Sequence, residues 1–211
     1  MPYLADVISG YHKFLYDKVA IAANTALPQL IQFFTVPVGQ GTSPTAGAGQ
    51  KQIQDTNIDT AQNLPNPMLN FTLQSIRVQF YGGAASTPLP TMNDVARIMR
   101  NYILRLTISN KVYLESPLTY MPAGGGIQHQ GQLSTALLAL TTPTFAGQSG
   151  VPSDTAKFML ARPIKWDRAE NFRVELTGSV FTTDAGGGTT LGNGLLIEIG
   201  LEGASDEGIV S

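Results

Sequence analysis

Phe71-Thr72-Leu73-Gln74-Ser75-Ile76-Arg77-Val78-Gln79-Phe80-Tyr81 is the stretch that decides the fold class. Phe71 and Leu73 share one parity, and Ile76, Val78 and Phe80 take the other. Apolar residues at period two mark a strand with one face on a core. The one-residue slip between the two sets is what a β-bulge produces, or a strand that changes sheets. Gly82-Gly83 ends the run.

The same period recurs on both sides. Tyr102, Leu104, Leu106 and Ile108 alternate with Ile103, Arg105 and Thr107; Asn110 offers a turn, and Val112 and Leu114 carry a second strand. Phe158 to Ile164 reads as an edge strand, because Pro163 has no N–H for a ladder. Phe172, Val174 and Leu176 follow, then Asn193-Gly194, a dipeptide suited to a tight hairpin. Leu195, Ile197, Ile199 and Leu201 make the last strand, with Glu198 and Glu202 facing away. Towards the N-terminus, Gln32 to Val38 is a short strand closed by Pro37 and Gly39. Only Thr91 to Met99 reads as a helix in this part of the chain, with Thr91 or Asn93 as its N-cap. Short strands with long decorated loops predict an all-β chain, an antiparallel β-sandwich of jelly-roll type, over residues 32–211 as one domain.

Residues 1–31 read differently. Leu4, Val7, Ile8, Tyr11, Phe14, Leu15 and Val19 recur at helical spacing, so a helix is expected here although Gly10 weakens it by about 1 kcal/mol. Such a stripe fits a helix packed on the core. It also fits an N-terminal helical arm laid against a neighbouring subunit, with Leu4, Val7, Ile8, Tyr11, Phe14 and Leu15 as its contacts. Residues 39–67 are polar and nearly uncharged, and a compact domain rarely holds so long a loop without a purpose or mobility. An excursion over a neighbour and plain disorder are the two readings.

Composition bounds the function. Charged residues are 13% of the 211, about half the roughly 25% of an ordinary soluble domain. The polar remainder is largely Gln, Asn, Thr and Ser, which hydrogen-bond across an interface without the desolvation cost of charge. This leans towards burial in a homo-oligomer, with a weakly charged monomer as the rival. Net charge is −2 and no Lys/Arg cluster exists, so direct nucleic-acid contact is not expected. The absence of Cys removes disulfides and thiolate chemistry. Neither a secretion signal nor a transmembrane segment is expected.

Candidate chemistry is sparse. His12 and His129 are distant in sequence and form no metal-ligand spacing, and His129 within Gln128-His129-Gln130 suits a loop hydrogen bond. Glu175, Glu198 and Glu202 could build a glycosidase-like pair from separate strands, yet each alternates outward as a solvated strand face does. Gly186-Gly187-Gly188 and Gly124-Gly125-Gly126 lack the Lys-Ser/Thr and the following helix of a phosphate loop. The single tryptophan, Trp166, could be an exposed platform for a glycan or could pack over the sandwich edge. No catalytic residue, metal or cofactor is expected.

Phe33-Phe34-Thr35-Val36-Pro37-Val38-Gly39-Gln40-Gly41, Asp55-Thr56-Asn57 with Leu64-Pro65, and Leu118-Thr119-Tyr120-Met121-Pro122-Ala123-Gly124-Gly125-Gly126 together resemble segments of jelly-roll structural proteins of bacteriophage particles. Asn171-Phe172-Arg173-Val174 with Leu196 to Gly203 is similar to the final strand pair of such subunits. The resemblance covers most of residues 30–203. It implies a virion capsid subunit, coat or cement/decoration, assembled in the host cytoplasm and packed against copies of itself and other capsid proteins. A basic genome-binding arm is missing: the N-terminal stretch has only Lys13 and Lys18, which favours contact with protein or an internal membrane. The alternative is a carbohydrate- or receptor-binding sandwich of a virion fibre, using Trp166.

Overall fold

The computed structural model describes residues 11–22, 26–45, 49–82, 92–121, 127–130, 146–149, 157–178 and 195–206. They form β1 (Tyr11–Ile21), β2 (Leu30–Phe33), β3 (Asn70–Gly82), α1 (Met92–Asn101), β4 (Tyr102–Ile108), β5 (Lys111–Pro117), a 3-10 turn (Leu118–Tyr120), β6 (Ile127–Gln130), β7 (Ala146–Ser149), β8 (Phe158–Asp167), β9 (Phe172–Gly178) and β10 (Leu195–Ser205). One four-stranded sheet has the order β1-β10-β3-β8 and a second the order β2-β9-β4-β5. All pairs are antiparallel, and β6 and β7 make a separate two-stranded ribbon. The pairs are nested: β1 with β10, β2 with β9, β3 with β8, β4 with β5.

Register explains the core. Leu15, Leu201 and Ile76 lie side by side across the first sheet, as do Val19, Ile197 and Phe80. In the second sheet Ile31, Leu176 and Leu104 form one row, and Phe33, Val174, Leu106 and Leu114 another. The two inward faces merge into one buried cluster, so the sheets pack as a sandwich. Aromatic rings bridge them: Phe71 meets Trp166 edge-on at 5.1 Å, Trp166 meets Phe172 at 5.5 Å, and Phe172 meets Phe34 at 5.2 Å. The slip in β3 is a register shift between Leu73 and Ser75 against β8, and Pro163 sits on β8 at the sheet edge.

Two expectations need correction. Tyr11, Phe14, Leu15 and Val19 belong to a strand, not a helix, and Leu15 is buried in the sandwich core rather than presented to a neighbour. Leu4, Val7 and Ile8 lie outside the described residues. The helical spacing arises because Asp17 takes an inward position and Phe14 an outward one, which spoils the period-two alternation. The second correction concerns Asn193-Gly194, which also lies outside the described residues. The strands on either side, β9 and β10, sit in different sheets and form no hairpin.

The described part of residues 39–67 packs on its own chain. Lys18 N–H donates to Asp55 O at 2.9 Å, Asn57 N–H to Tyr16 O at 3.3 Å, and Tyr16 N–H to Asn57 Oδ1 at 3.0 Å, which caps the free edge of β1. The anchor beneath is polar and buried. Asp17 accepts from Lys51 Nζ at 2.5 Å and from Phe34 N–H at 2.6 Å. Asp55, also buried, accepts from Ser43 Oγ at 2.8 Å and from Gln52 N–H at 3.1 Å. Burial alone would raise the Asp55 carboxyl, but hydrogen bonds from Thr45, Gln52 and Ser43 outweigh it and hold it below its ordinary value.

Trp166 is the largest fully buried side chain and joins the two sheets. Trp166→Ala is therefore expected to cost about 3–5 kcal/mol in urea unfolding. Its Nε1–H has no acceptor among the described residues. Trp166→Phe deletes that buried donor, whose desolvation costs about 1–3 kcal/mol, and should be clearly milder.

Candidate functional site

β10 contributes Glu198, Gly200 and Glu202 to the outer face of the first sheet, because Ile197, Ile199 and Leu201 take the inner one. Three cross-strand rows follow from the register. Phe14, Glu202, Ser75 and Met159 form the first; Tyr16, Gly200 and Arg77 the second; Lys18, Glu198 and Gln79 the third. Gly200 carries no side chain, and the gap above it is a cleft of about 290 Å³. Phe14, Tyr16, Arg77, Glu198 and Glu202 wall it.

Glu202 is the polar centre of this face. Ser75 Oγ donates to Oε2 at 3.0 Å and Lys157 Nζ to Oε1 at 3.1 Å. His12 Nε2 lies 3.1 Å from Oε1 and Arg77 Nη2 3.8 Å from Oε2. Burial alone would raise this carboxyl. Hydrogen bonds from Lys157 and Ser75, with the charges of Lys157 and His12, outweigh it and hold the carboxyl below its ordinary value. Lys18 sits 3.4 Å from Glu198 and over the Tyr81 ring at 5.4 Å. Burial, helped by Glu198, raises the Tyr81 phenol.

Apolar side chains flank these charges. Phe14 is 47% exposed, its ring 4.8 Å from that of His12, and Met159 at the far end of the Glu202 row is 57% exposed. Tyr11, at the start of β1, is 50% exposed. The outer face of the second sheet repeats the arrangement. A polar row runs through Gln32, Glu175, Arg105 and Glu115, tied by Gln32 Nε2 to Glu175 Oε1 at 3.0 Å and Arg105 Nε to Glu115 Oε2 at 2.9 Å. Exposed Leu30 and Ile103 share the next row with Thr177, and Val112 and Tyr113 stand exposed on β5.

The residues singled out from sequence are thus scattered. Glu198 and Glu202 face outward as expected and line one cleft; Glu175 is on the opposite sheet. His12 joins Glu202, whereas His129 lies in β6 opposite Gly147. Trp166 is only 1% exposed, so it offers no open ring face to a sugar; the packed reading of this residue stands and the alternative of a glycan platform there is withdrawn. Its place beside Phe172 at a strand end could not be told from a loop position by spacing alone. The polar cluster of Ser75, Arg77 and Lys157 around Glu202 was missed; the outward parity of Ser75 and Arg77 in β3 was the available signal. Among the described residues no group of three or more His, Asp or Glu could hold a metal ion, and no helix is long and apolar enough to cross a membrane.

A lowered folded pKa means that Glu202 adds stability above its ordinary 4.5 and loses it as pH falls through the folded value. Glu202→Gln should therefore flatten the acid limb of a stability–pH profile from about its ordinary 4.5 down through the folded value, seen as a smaller difference in unfolding midpoint between neutral and acid buffer. An unchanged acid limb would show that Glu202 does not drive it.

Comparison of the chain with protein-family models, with curated proteins and with solved structures finds no match.

Proposed function

We propose that this chain is a jelly-roll structural subunit of a bacteriophage capsid, a coat or cement protein that works by packing against copies of itself and other capsid proteins in the virion. The strand order supports the fold. First pairs with last, second with next to last, and so inward, if the β6–β7 ribbon is counted as an insertion between β5 and β8. That nesting puts two strands of each half of the chain in each sheet, the winding of a double Greek key.

The observation that carries the function is the pair of outer faces. Each couples an ordered polar row to large exposed apolar side chains: Phe14 and Met159 on one, Leu30, Ile103 and Val112 on the other. Interfaces are built in this way, with apolar contacts set among satisfied polar groups. The charged share of 13% limits what ion pairs add, so assembly rests on apolar and amide contacts. The fibre-head alternative loses its aromatic platform with the burial of Trp166.

Mass-resolved chromatography and electron microscopy over rising concentration test this. Oligomers or particles are expected, and they should persist at about 1 M salt, where charges are screened beyond roughly 3 Å. Phe14→Gln with Met159→Gln should leave a folded monomer that assembles poorly. A wild-type chain that stays monomeric at every concentration, alone and with other capsid proteins, would overturn the proposal. Removing residues 1–10 spares β1 and separately tests Leu4, Val7 and Ile8 as contacts; unimpaired assembly would dismiss them.

A further inference from the structure

Lys51 and Asp17 are the one ion pair among the described residues with both side chains almost fully buried, at 7% and 1% exposure. They come from elements 34 residues apart, and Lys51 Nζ stands 2.5 Å from Asp17 Oδ1. The opposite carboxyl oxygen is held by Phe34 N–H at 2.6 Å. Thr56, bridged to Asp17 along the β1 edge, adds a side-chain hydrogen bond to the same carboxyl. No other acid competes for Lys51 among the ion pairs of the described residues. The pairs on Glu198 and Glu202 are less enclosed, each with at least one side chain 18% or more exposed.

We infer that Lys51 and Asp17 form an intramolecular isopeptide bond that ties the 39–67 loop covalently to β1. With Oδ1 at 2.5 Å, the carboxyl carbon is no more than about 3.7 Å from the nitrogen, close to the roughly 3–3.5 Å of a near-attack contact. Enclosure supplies the drive: two charges held out of water are costly, and the amide removes both. Burial pushes the Asp17 carboxyl up towards its neutral, electrophilic form, against the lowering pull of Lys51, Phe34 and Thr56.

The step balances without any other reactant. The ammonium passes one proton to Oδ1, and the amine nitrogen then attacks the carboxyl carbon. Oδ2 gathers negative charge in the tetrahedral intermediate, where the Phe34 N–H is already aimed at it, as in an oxyanion hole. A second proton leaves nitrogen for Oδ1, the C–Oδ1 bond breaks, and water departs. The third proton remains as the amide N–H. Nothing is oxidised or reduced. The product encloses the chain from β1 through β2 into the loop, fixing the cover over the edge that β1 would otherwise expose.

Mass spectrometry of the full-length denatured protein decides the matter. The chain should weigh about 18 Da, one water, less than its sequence mass. Proteolysis should release a branched peptide joining the segments around residues 17 and 51. Lys51→Arg keeps the charge but cannot form this amide, and should show the full mass of its own sequence. A wild-type chain of full sequence mass overturns the inference. So does a water loss that persists in Lys51→Arg or maps to any other pair. Because the reading is taken on unfolded protein, poor folding of the variant does not obscure the wild-type result.

Discussion

β10 runs between β1 and β3 and is hydrogen-bonded along both edges for nearly its whole length. Its register assigns every neighbour to a face: Ile197, Ile199 and Leu201 bring Leu15, Val19, Ile76, Val78 and Phe80 inward, while Glu198, Gly200 and Glu202 bring Phe14, Tyr16, Lys18, Arg77 and Ser75 outward. A slip of one residue would exchange the two sets and drive two carboxylates into the core. The irregularity between Glu202 and Gly203 lies where the end of β10 must stay in contact with β3. There the chains approach so closely that a Cβ on Gly203 would come within 2.1 Å of Thr72 O. Only glycine fits at that point, and the Glu202 cluster is built directly beside it.

The aromatic bridge is the second constraint. Phe71 and Trp166 belong to one sheet, Phe172 to the other, and Phe34 stands just beyond β2. Their rings fix how the sheets meet and bring the start of the long loop onto the core. Phe34 has a positive φ of 61°, an uncommon conformation for a bulky residue. Its N–H is satisfied by Asp17, and its ring by Phe172. Packing and a buried carboxylate thus hold the turn from which the loop returns over β1.

The outer faces and the loop have one physical theme. A chain poor in charge has placed most of its described acids where each is paired or hydrogen-bonded: Asp17 with Lys51, Glu198 with Lys18, Glu202 with Lys157 and His12, Glu115 with Arg105. Large apolar groups stand around these fixed polar points. Such a surface loses little on being covered, since few unpaired charges need to be stripped of water.

The sequence by itself determined the β class and most strands, because period-two burial is a local property. Phe71 to Tyr81 with its bulge, Tyr102 to Ile108 with the turn at Asn110, the helix between them and the final Leu195 to Leu201 run all follow from which neighbours are apolar. The outward parity of Glu198 and Glu202 was legible for the same reason. What only the tertiary structure decided depends on residues far apart in the chain. Asp17 is inward in β1 because Lys51 lies beside it. Without that partner the pattern of Tyr11, Phe14, Leu15 and Val19 resembles a helix. Trp166 is buried because Phe71 and Phe172 close over it, and β9 and β10 part into different sheets because each pairs with strands from the other half of the chain. Alternation tells a strand which side is apolar; it carries no record of a distant partner, since that energy exists only once the two segments meet.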